Sequence, residues 1–191
     1  MSGLPRLVLA AALLAFVIGA TLLSFWVATK NFEIADPAKS PKTAEVLETA
    51  RIEGNESRKM VARYFASESN RAMFWLLGPL QLVGCAGACL LGFGAARGRR
   101  GARATRALLM SCLVLAIALA PLVPMMISKG RAIDFVSRAG GNPPEVKSFL
   151  LWHGLYMAGD ALLLIAAIAG VALLAASAAR RDPVLAPEVS P

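Results

Sequence analysis

The 191 residues are 57% hydrophobic and only 17% charged, with a mean hydropathy of +0.61 and a formal net charge of +8. An ordinary soluble domain carries about a quarter charged residues, so composition excludes that class and points to the membrane. Nucleic-acid binding is also excluded as a reading of the positive charge, because no aromatic residues interleave with the arginines and no binding motif surrounds them.

The first apolar run, Leu7–Ala28, follows Arg6 and ends in the interfacial anchor Trp26. At 1.5 Å per residue, about 20 residues cross a hydrocarbon core of roughly 30 Å, so the run is long enough to span. A cleaved signal peptide is the alternative, given the basic residue ahead of it, but the run is long and lacks an A-x-A site at its end.

Residues 41–70 form the one sizeable extramembrane segment. Ser40 and Pro41 read as the N-cap and first position of a short helix through "TAEVLETARIE", stopped at Gly54–Asn55. The next stretch places Met60, Val61, Tyr64 and Phe65 in an apolar stripe opposed by Arg58, Lys59 and Arg63, which predicts an interfacial helix leading into span two, or a lid over the bundle's mouth.

Span two, Ala72–Ala96, carries Cys85 and Cys89 on one face and a stripe of small residues, Gly84, Ala88 and Gly92, beside them. Small residues at this spacing let another helix approach closely, so the stripe reads as a packing seam. The cysteines, with Cys112 of span three, read either as small apolar fillers or as soft-metal contacts. The loop "RGRRGARATR" holds five arginines and no acid, which predicts a cytoplasmic loop and, with an even number of spans, cytoplasmic termini of a bacterial plasma-membrane protein. Eight Lys/Arg between Thr29 and Arg71 weigh against this orientation, although seven acids are mixed among them.

Span three, Ala107–Ser128, contains Pro121 and Pro124, which predict a kink near its end, with Met125 and Met126 just beyond as further soft-metal candidates. Span four lies within Ser148–Ala179, its crossing part at about 149–175, and a short tail follows at 180–191. This span holds the only histidine, His153, with Asp160 seven residues on and Met157 between them. Seven steps of 100° fall about 20° short of two turns, so the three side chains share a direction, and the cost of a carboxylate in lipid turns that direction to the bundle interior. The expected architecture is all-α: one four-helix membrane domain over residues 1–179, with an amphipathic extramembrane helix between spans one and two.

Phe149, Trp152, His153, Gly154 and Asp160, together with "FWVATKNF", "VARYF" and the C-x-x-x-C of Cys85 and Cys89, resemble a widespread family of small four-span membrane proteins of unknown function. Its eukaryotic relatives include a transmembrane protein linked to platinum-drug resistance. Asp160 stands where that pattern has asparagine. The resemblance implies a membrane protein connected with soft metals or their complexes, without an established activity.

Two functions follow as expectations. One is a non-catalytic accessory or scaffold subunit that packs against a membrane partner or another copy through its small-residue faces. The other is a small transporter or permeation protein for a soft metal or small solute, using Met125, Met126, His153, Met157 and Asp160 at one end and Cys85, Cys89 and Cys112 at the other. In the first reading His153 and Asp160 serve packing; in the second they line a cavity. Enzyme chemistry is not expected: no nucleophile accompanies His153 and no phosphate-binding glycine motif is present. No cofactor is expected, since haem bound through His153 would need a methionine or a partner chain as its second axial ligand.

Overall fold

The computed structural model describes residues 3–96, 101–136 and 141–179 and consists of helices α1 (Gly3–Ala35), α2 (Pro41–Thr49), α3 (Asn55–Ala95), α4 (Ala102–Leu119), α5 (Leu122–Ala132) and α6 (Pro144–Ala179). Four helical stretches, Gly3–Ala35, Asn55–Ala95, Ala102–Ala132 and Pro144–Ala179, are long and apolar enough to cross a membrane, and the chain is a multi-pass all-α bundle. Backbone groups in hydrocarbon have no water to bond, and helices satisfy them internally. Of the expected tail and the arginine loop, residues 180–191 and 97–100 lie outside the described residues.

The helices alternate in direction. Gly92, near the end of α3, faces Ala10 near the start of α1, Leu109 of α4 and Leu174 near the end of α6. At the opposite end Asn31 of α1 donates to Asn70 of α3 at 2.7 Å. One end of the bundle therefore gathers Gly3, the end of α3, the start of α4 and Ala179, and the other gathers α2, the end of α5 and the start of α6. The core between them is built from Leu7, Leu14 and Val17 of α1, Ala88 of α3, Leu109 of α4 and Leu163 of α6, among others. Large apolar side chains such as Phe16, Leu76, Leu90 and Ile165 are exposed on the outside, where lipid covers them.

Three local features decide what the α2 end looks like. Ser40 caps α2, its hydroxyl accepting from the Thr43 amide at 3.4 Å, and Pro41 occupies the first turn. The helix ends at Thr49, earlier than the sequence suggests, because Arg51 adopts φ 55° and closes a Schellman turn: Ile52 N–H bonds Leu47 O at 3.0 Å and Arg51 N–H bonds Glu48 O at 2.8 Å. Residues 55–70 are not a separate interfacial helix but the first turns of α3, continuous with span two. Their inward face is also shifted from the expected stripe: Ala62, Ala66 and Asn70 are buried against the bundle, Met60, Val61 and Tyr64 are half-buried with Tyr64 stacked on Phe135, and Phe65 is 65% exposed. A helix standing upright in line with its span has no membrane surface beneath an apolar stripe, so the inward face is set by close packing instead.

Span three breaks between α4 and α5, where Pro121 replaces the backbone donor that would continue the helix. Pro124 falls in the first turn of α5, where amide hydrogens lack intrahelical partners in any case. The break makes α5 a separate wall at the α2 end.

Candidate functional site

A cavity of about 580 Å³ opens at the α2 end, walled by α1, α3, α5 and α6. Most of its lining is apolar, including Phe25, Phe74, Met126, Ile127 and Met157. A volume of several hundred cubic ångströms with apolar walls and a few placed polar groups is the ordinary form of a small-molecule site.

The polar groups come mainly from one face of α3. Arg63, Ser67, Asn70 and Arg71 line the cavity, spaced so that successive helical turns present them side by side. Arg71 is committed: its Nη1 donates to Asp134 Oδ2 at 2.9 Å and to Glu68 Oε1 at 2.6 Å, and its Nη2 donates to Asp134 Oδ1. Both partners of this bidentate pair are buried, at 7% and 6% side-chain exposure, which ties α3 to the segment following α5. Gly130 lets α5 pass close by, since a Cβ there would stand 3.3 Å from Arg71 Nη2. Arg63 differs. It makes no ion pair among the described residues, and its Nη1 is buried without a hydrogen-bond partner.

His153 and Met157 line the same cavity, His153 half-buried and stacked on Phe149 with ring centroids 5.5 Å apart. Met126 joins them from α5, while Met125 is half-buried outside the lining.

Asp160 does not reach the cavity. It is fully buried in a second, more central polar cluster. Gln81 Nε2 of α3 uses its two hydrogens to bridge α1 and α6, donating to Asp160 Oδ1 at 2.7 Å and to Thr21 Oγ1 at 3.0 Å. Asp160 Oδ2 and the Tyr156 hydroxyl, also buried, are neighbours one turn apart on α6, and among the described residues neither atom has a hydrogen-bond partner outside this pair. Phe74 separates the two sites, lining the cavity and meeting the Tyr156 ring edge-on at 5.6 Å. His153, Met157 and Asp160 thus share a direction on α6 but serve different depths.

The remaining candidates lie at the Gly101 end. Cys85, Cys89 and Cys112 are buried and free of disulfides, and Cys89 Sγ donates to Leu109 O at 3.0 Å. Among the described residues no group of three or more His, Cys, Asp or Glu side chains is placed to hold a metal ion. Gly84, Ala88 and Gly92 are buried within the chain: a Cβ on Gly84 would stand 2.5 Å from Val17 Cγ2, and one on Gly92 2.6 Å from Leu109 Cδ1. Gly159 and Gly170 of α6 similarly admit Leu119 and Leu14.

Sequence reasoning missed Gln81, Arg63, Arg71 and Asp134. Gln81 had a visible signal, as the one strongly polar side chain inside Ala72–Ala96. The Arg71–Asp134 pair had none, because its members lie 63 positions apart in different extramembrane borders. No protein-family model, curated protein or solved structure matches the chain. The site must be read from its own chemistry.

Proposed function

We infer that this protein is a non-catalytic carrier or permeation protein that binds a small molecule in the cavity between α1, α3, α5 and α6. The observation that carries this reading is the cavity itself, about 580 Å³ in a bundle whose other half is close-packed. The arrangement favours solute binding over a subunit that packs through its small-residue faces, because those faces on α3 and α6 are occupied by Val17, Leu109, Leu119 and Leu14 of the same chain. Membership of the four-span family that the Phe149–Asp160 pattern resembles belongs to the same proposal. So does the orientation: Arg6, Arg103 and Arg106 sit at the Gly101 end, which supports placing that end in the cytoplasm of a bacterial cell and the cavity at the outer face.

The test is stabilisation by ligand. Full-length protein in neutral-lipid nanodiscs is heated with decanol, decanoate or decylamine, and with none. At least one probe is expected to raise the midpoint by a few degrees, since each kcal/mol of binding shifts a chain of this length by about 2–4 °C. Ala28→Trp, which fills the cavity from α1, is expected to abolish the shift. Equal shifts in wild type and Ala28→Trp, or none with any probe, would contradict the reading.

A further inference from the structure

The charges lining the cavity are two arginines and one aspartate. Arg71 and Asp134 neutralise each other through two parallel hydrogen bonds, and Glu68 takes a further donor of Arg71. That leaves one positive charge among the lining residues, on Arg63, a half-buried side chain that also borders a second groove with Glu33 and Asp36 and whose Nη1 is shielded from solvent with no hydrogen-bond partner among the described residues. A buried donor without a partner is unfavourable unless something bound there supplies the acceptor. Ser67, one turn further along α3, faces the same space. Beyond these polar groups the walls become aromatic and aliphatic at Phe25, Phe74, Met126 and Met157.

Resting on the reading of the cavity as a binding site, we propose that its ligand is an amphipathic monoanion, with its carboxylate, sulfonate or phosphate-ester head on Arg63 and its apolar body between α1, α5 and α6. Arginine suits this role because its planar donors match the oxygens of such heads and it stays charged at all physiological pH. Lying beside an exposed rim that includes Phe32 and Leu150, the cavity can take such a molecule from the bilayer or from water, and the chemistry of recognition is the same.

The experiment is calorimetric titration of full-length protein in phosphatidylcholine nanodiscs with two matched pairs. Oleate and oleyl alcohol represent the membrane-borne source; naphthalenesulfonate and naphthalenesulfonamide represent the water-borne one. In at least one pair the anion is expected to bind wild type about tenfold or more tighter than its neutral counterpart, the size of one charge-assisted hydrogen bond. Arg63→Gln is expected to remove that preference while leaving the neutral affinity in place, and Arg63→Lys to keep part of it. The pair that shows the preference identifies the source. Equal affinity for anion and neutral partner in both pairs overturns the proposal while the cavity reading stands. A preference unchanged by Arg63→Gln also overturns it. Absence of binding by all four probes overturns the proposal and the cavity reading together. If Arg63→Gln does not assemble, the anion-to-neutral ratio of the wild type decides alone.

Discussion

Asp160 and Arg71 show two ways of keeping a charged side chain inside a bundle. Arg71 is matched by a carboxylate of complementary shape, so removing that partner leaves a buried cation; Asp134→Ala is expected to destabilise the protein by about 3 kcal/mol in denaturant unfolding. Replacing both residues, Arg71→Met with Asp134→Leu, is expected to recover most of this, because an apolar pair needs no desolvation. Asp160 is held by Gln81 on one oxygen and has the Tyr156 hydroxyl of its own helix as a neighbour, with no cation beside it among the described residues. Asp160→Asn keeps an acceptor for Gln81 and turns an amide donor toward the Tyr156 hydroxyl, which can accept in place of donating, so it is expected to change stability by no more than about 1 kcal/mol. Asp160→Leu is expected to lower it by about 1–2 kcal/mol, since Gln81 then loses its bond to α6. Thermal unfolding of the two variants separates a packing role from a strict need for the carboxylate. The inward direction of Asp160 was legible from the cost of charge in lipid, a one-body property of the residue. Its partner was not, because pairing Gln81 with a residue 79 positions away depends on helix rotation that no local pattern encodes.

Elements follow the same division. Apolar runs longer than the hydrocarbon thickness marked all four spans, and Ser40–Pro41 and Pro121 marked a start and a break, since each acts through its own backbone. The stripe at Met60, Val61, Tyr64 and Phe65 was legible as apolar, but the continuation of residues 55–70 into span two as one helix with Phe65 outside was not, because amphipathicity does not show whether lipid or a neighbouring helix lies beneath a face. Close approach of α3 to α1 depends on Gly84: Gly84→Ala is expected to cost about 1–3 kcal/mol, as Val17 is β-branched and cannot swing aside freely. Gly19→Ala and Gly94→Ala, where nothing lies within 4 Å of the added carbon, are expected to be neutral or stabilising by up to about 1 kcal/mol. The proposed orientation is checked with single cysteines. An impermeant maleimide applied to intact cells is expected to label Lys39→Cys and to spare Arg103→Cys, both exposed in the structure; the reverse pattern would invert the bundle.

At the scale of the whole molecule, the bundle divides into a packed half and a hollow one. Cys85, Cys89 and Cys112 sit in the packed half among small residues, where thiols are enclosed by neighbouring helices. The break at Pro121 turns the other half of span three into a short helix that stands as a cavity wall, and the Gln81 cluster lies between the two halves as a polar layer that fixes α1, α3 and α6 against one another. The existence of the hollow half is what every functional statement depends on, and it can be probed without knowing the ligand. In the membrane-embedded protein, Ile127→Cys places a thiol on the cavity wall at a position with 5% exposure, against a background of native cysteines at 0%, 6% and 0%. Modification by a small anionic methanethiosulfonate is expected at Ile127→Cys and not at the native thiols. An Ile127→Cys protein as inert as the wild type would mean that α1, α3, α5 and α6 close on one another and leave no room for a solute.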